Sequence, residues 1–223
     1  MIPKQTLEFL KDIKANNNRE WFLANKKRYE QYKKDYLSLV EQFLAEMQSR
    51  DTSLKHLEPK DCMFRINRDI RFTKDKSPYK TNLAIWMSTG QKNTNLAGYY
   101  VHIEPGGSFI AGGVYYPDSA DLKKIRTEIA YFHEDLEKIV SAKKFRDEFG
   151  ALDRNDDNSL KTMPKGYEKD HPAAEFLKLK CFTATKKIAD KDLKSKDFVQ
   201  NTCDSLIALT PLNEFLNRAL TPE

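Results

Sequence analysis

The segment 64–80, FRINRDIRFTKDKSPYK, places six Arg and Lys residues beside only two Asp residues. An Arg guanidinium offers a fixed fork of N–H donors that fits a carboxylate or phosphate, whereas Lys supplies a mobile point charge. Asp69 and Asp75 are placed to orient these cations. The segment therefore predicts an anion site, and the alternative is a solvated basic loop with local Arg–Asp pairs.

A second candidate for chemistry is the pair His102 and Glu104. The two residues lie two apart on a predicted strand, so their side chains share one face. A histidine that titrates near neutral pH beside a carboxylate can act as a general base. We take His102 as the candidate base and Glu104 as its orienting partner. The alternative is a hydrogen-bonded structural histidine.

These residues must be positioned by a sheet. Between Thr81 and Tyr116 the only formal charges are Lys92 and Glu104, and six of the eight glycines fall in this stretch. The pattern predicts antiparallel strands over 82–89, 97–104 and 108–116, joined by short turns at 90–95 and 104–107. A strand near 62–67 is expected to complete a four-stranded sheet.

Alternation divides the predicted strands into two faces. The apolar face, expected to meet the core, consists of Phe64, Ile66, Leu83, Ile85, Met87, Val101, Ile103, Ile110 and Val114. The other face mixes aromatic and ionisable groups: Arg65, Asn67, Trp86, Tyr100, His102, Glu104, Phe109 and Tyr115. This second face is either the half-solvated side of the sheet or the floor of a pocket.

Helical segments flank the sheet. Phe22, Tyr29, Tyr36 and Phe43 recur at steps of seven within the first fifty residues, after a break at Asn16–Asn18. After Pro117 we expect a helix capped by Asp118 or Ser119, a surface loop over 150–165, a helix opening at 171–172 and a short strand at 181–188. The tail, 196–220, is predicted to be helical with a break at Thr210-Pro211. The chain is thus expected to be one α+β domain over residues 1–223.

Composition excludes several classes of protein. The net charge of +5, the 32% of charged residues and the mean hydropathy of −0.71 describe a solvated globular chain. The N-terminus has no signal-peptide core, no window is apolar enough to cross a bilayer, and the three cysteines lack zinc-site spacing. We expect a cytoplasmic protein with no membrane partner. The P-loop, the dinucleotide glycine fingerprint and the G-x-S-x-G elbow are missing, so neither a metal nor a cofactor is expected.

Four motifs resemble a known family over nearly the whole chain. They are NNREWFLANKKRY (17–29), FRINRDIRFTKDKSPYKTN (64–82), GYYVHIEPGGSFIAGGVYYP (98–117) and PKGYEKDHPAAEFLKLKCF (164–182). They are similar to the uncharacterised family catalogued as domain of unknown function 2461. The resemblance implies one full-length domain and carries no catalytic assignment.

Three functions remain open on the sequence. The first is binding of a small phosphorylated or carboxylated ligand, with His102 and Glu104 as catalytic residues if the protein is a metal-independent enzyme. The second is binding of single-stranded nucleic acid, and the third is a protein-interaction module. The predicted ligand-binding residues are Arg65, Asn67, Arg68, Arg71, Lys76, Tyr79, Lys80, Trp86 and Tyr100.

Overall fold

The glycine-rich part of the chain folds into three of the four strands of one antiparallel sheet. The computed structural model describes residues 1–90 and 95–221. The strands are β1 (Leu83–Ser88), β2 (Gly98–Ile103), β3 (Phe109–Val114) and β4 (Phe182–Lys187), in the spatial order β1-β2-β3-β4. The predicted α+β class with an antiparallel sheet is therefore confirmed. The predicted strand at 181–188 is confirmed as β4.

The predicted strand near 62–67 is wrong. In its place the chain has the end of a short helix, Pro59–Cys62, followed by isolated bridges from Met63 to Ile85 and from Asn67 to Tyr79. The backbone N–H of Phe64 donates to the Tyr36 hydroxyl (2.9 Å). The alternation of Phe64 and Ile66 resembled a strand, but β4, more than a hundred residues later, completes the sheet.

The turn predicted at 104–107 is present between β2 and β3. The Gly107 N–H donates to the Glu104 carbonyl (2.8 Å), and Gly106 has φ +83°. Pro105 followed by a residue with positive φ is the arrangement of a type II turn, which explains the glycine. The turn predicted at 90–95 falls largely on residues 91–94, which lie outside the described residues.

Burial confirms the apolar face of the sheet. Ile85, Met87, Val101 and Ile103 are fully buried, and the other predicted members of this face are buried with the exception of Phe64. Phe64 is only half-buried, because its segment leaves the sheet.

The predicted N- and C-terminal helices are confirmed, but a further break at Asn25 places Phe22 and Tyr29 of the predicted stripe in different helices. The Asn-rich break separates the first two helices, and Asp118 caps the helix after Pro117 by accepting from the N–H groups of Ala120 and Asp121. The segment 150–165 is a loop, as predicted. The helices are α1 (Lys4–Ala15), α2 (Arg19–Ala24), α3 (Lys26–Arg50), α4 (Pro59–Cys62), α5 (Ser119–Tyr131), α6 (His133–Ser141), α7 (Lys143–Phe149), α8 (Ala174–Leu177), α9 (Phe198–Leu206) and α10 (Thr210–Leu220).

The chain forms two compact units. The first unit comprises Met1–Met87, Tyr100–Ile110 and Lys187–Asp204. Within it, the buried Tyr36 of α3 donates its hydroxyl proton to the Ala84 carbonyl of β1. This bond fixes α3 against β1, and the bond from Phe64 attaches the same tyrosine to the segment that follows α4.

The second unit comprises Ser88–Tyr99, Ala111–Lys186 and Ser205–Glu223. Within it, the Tyr99 hydroxyl lies 2.8 Å from the Thr210 hydroxyl, and the Asn217 amide oxygen accepts from the Ala97 N–H (2.7 Å). These bonds hold α10 beside the start of β2.

Candidate functional site

The basic segment is an excursion whose two ends pair with each other. The Arg68 N–H donates to the Pro78 carbonyl (2.9 Å), and the Lys80 N–H donates to the Ile66 carbonyl (2.7 Å). With the Asn67–Tyr79 bridge, these bonds close the base of a loop that spans residues 69–77. Arg68 therefore lies opposite Pro78 and Lys80 opposite Ile66, so the two cations flank the Asn67–Tyr79 bridge at the neck of the loop, next to the start of β1.

A pocket of about 320 Å³ opens at this neck and lies wholly in the first unit. Its floor is the polar-aromatic face of β1 and β2, and its rim is the base of the basic loop. It is lined by Phe64, Arg68, Asp69, Lys80, Asn82, Ala84, Tyr100 and His102. The structure thus brings together four of the predicted site residues: Arg68, Lys80, Tyr100 and His102.

Arg68 is held at the pocket by the loop itself. Its Nη1 donates to the Asp75 carboxylate (2.5 Å) and to the Ser77 carbonyl (3.1 Å). Asp75 also accepts from the Ser77 hydroxyl and N–H. These Ser77 bonds, followed by the bond from Arg68, lower the pKa of Asp75 to about 2. Asp75 therefore stays ionised and orients Arg68, and this pair also fits the alternative of a basic loop with local Arg–Asp pairs.

Asp69, the carboxylate in the pocket lining, has its own cation. Arg71 donates to Asp69 through Nε (3.0 Å) and Nη2 (2.6 Å), and also through its backbone N–H. The bond from the Arg71 side chain is the main reason why the pKa of Asp69 is lowered. The negative charge of Asp69 is thus balanced outside the pocket.

Lys80 lies over an aromatic ring of the lining. Its Nζ is 4.9 Å from the centroid of the Phe64 ring, within the range of a cation–π contact. The ring therefore holds the ammonium group at the pocket wall.

The other predicted ligand-binding residues lie around the pocket and do not line it. Arg65 and Asn67 are exposed. Lys76 donates to the Ile70 carbonyl (2.8 Å), while Tyr79 is buried and stacks on Phe22 at 4.1 Å. Trp86 lies on the pocket side of β1, two residues beyond Ala84, and is half-buried. Arg71, paired with Asp69, is three-quarters exposed.

His102 and Glu104 are adjacent, as the strand spacing predicts. His102 Nε2 lies 3.4 Å from Glu104 Oε2, and His102 Nδ1 lies 3.0 Å from the Tyr100 hydroxyl. The Asn82 amide nitrogen is 3.4 Å from the same Nδ1. The histidine ring stacks on Phe109 with a centroid distance of 4.6 Å and an interplanar angle of 16°. The imidazole is therefore fixed on one face and at both nitrogens.

Burial determines the protonation of this group. It lowers the pKa of His102 and outweighs the opposing effect of Glu104. It raises the pKa of Tyr100 to about 12. For Glu104, burial acts to raise the pKa, but hydrogen bonds from Lys14, Thr81 and His102 together lower it. Near neutral pH the group therefore holds a neutral imidazole, a protonated phenol and an ionised carboxylate.

Two supporting residues were missed in the sequence. Lys14 of α1 donates to Glu104 Oε1 (2.9 Å), and the Asn17 side chain pairs with both backbone groups of Tyr79. Each contact joins residues more than sixty positions apart, and no local pattern signals such a pairing. Asp69, which the sequence suggested only as an orienting group, lines the pocket directly, and so does Asn82.

Comparison with known families identifies the chain. The family model described as conserved hypothetical protein DUF2461 matches residues 5–215. The chain belongs to the DUF2461 family. All four sequence motifs lie within the matched range, so the resemblance is confirmed. No curated protein and no solved structure matches the chain. The DUF2461 description names no activity, so the roles of the site residues must be argued from geometry.

Two features are absent from the described residues. Over residues 1–90 and 95–221, no helix is long and apolar enough to cross a membrane. Over the same residues, no group of three or more His, Cys, Asp and Glu is arranged to hold a metal ion. The absence of a metal and of a cofactor stays a prediction.

Proposed function

We propose that the pocket binds a small anionic ligand through a phosphate or carboxylate group. The observation that carries the proposal is the presence of Arg68 and Lys80 in one pocket with the polar groups of Asn82 and Tyr100. Neither bond that Arg68 makes to Asp75 and Ser77 uses Nε or Nη2. Those two atoms form the edge of a guanidinium that suits a two-oxygen acceptor.

The charge balance in the lining favours an anion. Arg68 and Lys80 line the pocket against the carboxylate of Asp69. With the partners outside the lining, Asp75 for Arg68 and Arg71 for Asp69, the group has three positive charges against two negative charges. Because burial lowers the pKa of His102, the imidazole adds no fixed charge near neutral pH. A phosphate or carboxylate would therefore meet a net positive wall with oriented N–H donors.

The size of the pocket favours a compact ligand. Its volume of about 320 Å³ is at the lower end of the range for small-molecule sites, roughly 300–1,000 Å³. Phe64 and Tyr100 provide the apolar wall that a metabolite-sized ligand needs. A polymer would have to continue along the exposed loop.

The experiment is a thermal-shift screen of phosphorylated and carboxylated metabolites, with inorganic phosphate and citrate included. A ligand at about a hundred times its dissociation constant stabilises the folded state by about 2.7 kcal/mol. For a chain of this size that is a rise in Tm of roughly 5–10 °C.

Two double variants of equal charge change separate the pocket from the loop. Arg68→Gln with Lys80→Gln changes cations of the lining, whereas Lys74→Gln with Lys76→Gln changes two exposed cations outside it. We expect the first pair to lose the shift and the second pair to keep it. Equal shifts in both double variants for every anion would exclude the pocket as the binding site.

A metal-independent enzyme is the second candidate, and the observation that favours it is the position of His102 in the lining with Glu104 behind it. If the ligand is turned over, His102→Ala should abolish turnover and leave ligand affinity within a few fold. Loss of binding together with folding would instead assign His102 a structural role.

A further inference from the structure

Glu104 is held in one orientation by three partners. Its Oε1 accepts from Lys14 Nζ (2.9 Å) and from the Thr81 hydroxyl (3.0 Å), so Oε2 is directed toward His102. The Glu104 side chain is only 21% exposed, and its backbone N–H is bound by the Ser108 hydroxyl. The carboxylate is thus a fixed acceptor.

A fixed acceptor selects the tautomer of His102. An ionised carboxylate has no proton to donate, so Nε2 must carry the hydrogen in the bond to Glu104. In the neutral ring Nδ1 then presents a lone pair. Both of its neighbours are suitable donors: the Tyr100 hydroxyl at 3.0 Å and the Asn82 amide nitrogen at 3.4 Å. The same tautomer therefore satisfies both sides of the ring.

The result is a linear chain of groups, Tyr100–His102–Glu104, that ends in the pocket. It has the same order of roles as the Ser-His-Asp triad: a hydroxyl, an imidazole that accepts its proton, and a carboxylate that fixes the imidazole. Tyr100 and His102 both line the pocket, whereas Glu104 lies behind them. Lys14 and Thr81 act as positioning residues through Glu104.

We propose that Tyr100 is the catalytic group of this pocket, a phenol that takes a proton from a bound anionic substrate while passing its own proton to His102. The substrate's C–H bond breaks and leaves its electron pair on carbon. An O–H bond forms at Tyr100 as an N–H bond forms at Nδ1, and Glu104 stabilises the imidazolium. Return of the proton to the same carbon completes a proton exchange, and its delivery to the adjacent carbonyl carbon, with the proton shift between the oxygens, completes an isomerisation. Neither reaction needs a further reactant.

The chemistry defines the substrate class. Arg68 and Lys80 would hold a phosphate or carboxylate, and the proton removed would be made acidic by a neighbouring carbonyl group. For its substrate this inference rests on the proposed anion binding. Burial opposes the proton transfer, because it raises the pKa of Tyr100 and lowers the pKa of His102, so the step depends on Glu104 to stabilise the imidazolium. Arg68 and Lys80 take no part in that transfer, so the two proposals can be tested separately.

The test uses two sulfonyl fluorides that differ in charge. Benzenesulfonyl fluoride is neutral, and 4-(fluorosulfonyl)benzoate carries a carboxylate. In each reaction the tyrosine oxygen bonds to sulfur, fluoride leaves, and the phenolic proton passes to His102 and then to solvent. Peptide mass spectrometry gives the labelling rate at each tyrosine, and Tyr115, which is 77% exposed, serves as the internal reference.

With the neutral probe we expect Tyr100 to be labelled roughly 100-fold faster than Tyr115, the lower end of what a positioned general base contributes. In Glu104→Gln, an amide N–H facing Nε2 would favour the His102 tautomer with its hydrogen on Nδ1, which cannot accept the phenolic proton. The labelling rate of Tyr100 should therefore fall to that of Tyr115. Glu8→Gln, an exposed change of the same type on α1, should have no effect. The wild-type rate at Tyr100 should also fall as His102 becomes protonated at acidic pH.

The outcomes distinguish the two proposals. Equal labelling of Tyr100 and Tyr115 in the wild type would overturn the reactive phenol, and this comparison needs no variant that must fold. An unchanged ratio in a folded Glu104→Gln variant would also overturn it. Fast labelling by the neutral probe, with no further gain for the carboxylate probe and no effect of Arg68→Gln with Lys80→Gln, would support Tyr100 and reject the anion site.

Discussion

At the scale of single residues, the cations of the basic segment are defined by their partners. Arg71 is bound by Asp69 and Arg68 by Asp75, although the segment as a sequence shows only a positive run. Exposed pairs of this kind contribute about 0–1 kcal/mol to stability. Their consequence is therefore positional: they leave Arg68 oriented at the pocket and compensate the carboxylate beside it.

The buried histidine gives the protein a pH dependence of known sign. Burial lowers the pKa of folded His102 below 6.5, whereas the unfolded chain keeps the ordinary value. Between the two values the unfolded state binds more protons, so the free energy of unfolding decreases as the pH falls from about 6.5 to the folded-state pKa. Above about pH 6.5 His102 is neutral in both states, so it adds no pH dependence to the free energy of unfolding.

We therefore expect His102→Gln to lose less stability than the wild type between about pH 7 and pH 5. The lowered pKa of Glu104 produces a loss in the same direction, but through its ordinary value of 4.5 and below. Urea unfolding at several pH values measures the difference. His56→Gln, a change at an exposed histidine, is the control. If the free energy of unfolding of His102→Gln fell with pH as steeply as that of the wild type, the pH dependence could not be assigned to His102.

At the scale of elements, a side chain in the break between α1 and α2 holds the neck of the basic loop in place. The Asn17 amide donates to the Tyr79 carbonyl (2.8 Å), and its oxygen accepts from the Tyr79 N–H (3.0 Å). One side chain thus satisfies both backbone groups of the residue beside Lys80. Stacking of Tyr79 on Phe22 strengthens the same attachment.

Asn17→Ala should lower the free energy of unfolding by roughly 1–3 kcal/mol, because two partly buried backbone groups lose their partner. It should also weaken anion binding, since Lys80 follows Tyr79 directly. Asn16→Ala, at an exposed residue of the same break, should have a smaller effect on stability and none on binding. Equal effects of the two variants, measured by urea unfolding and by thermal shift with the selected anion, would contradict this role for Asn17.

The elements also show which parts of the structure were predictable. The strands β1 to β3 follow from alternation and from turn residues, both of which are local. The position of β4 at the sheet edge depends on a connection of more than sixty residues after β3, and no local pattern indicates that β4 rather than residues 62–67 supplies the fourth strand. Likewise the pair His102–Glu104 follows from strand spacing, whereas the bond from Lys14 joins residues ninety positions apart. Local periodicity gives no information about contacts between residues so far apart in the chain.

At the scale of the whole molecule, the net charge is only +5 across 223 residues. That surplus is small, and many cations of the chain are paired with carboxylates on the same or neighbouring elements. A protein that binds a nucleic acid needs several cations along one track, because each phosphate it neutralises releases counterions. The pocket instead presents Arg68 and Lys80 at one point.

Salt dependence should therefore distinguish a pocket ligand from a polymer. A protein that contacts 6–10 phosphates loses roughly 10³–10⁵ in affinity between about 50 and 200 mM salt. A small anion held by two cations in a partly desolvated pocket is screened much less. We expect its affinity to fall by less than about tenfold over the same range, because few counterions are released.

Calorimetric titration measures the affinity for the anion selected by thermal shift, and fluorescence anisotropy measures the affinity for a labelled single-stranded oligonucleotide. Oligonucleotide binding that persists at about 0.15 M salt, and that Arg68→Gln with Lys80→Gln abolishes, would replace the small anion with a nucleic acid as the ligand of this site.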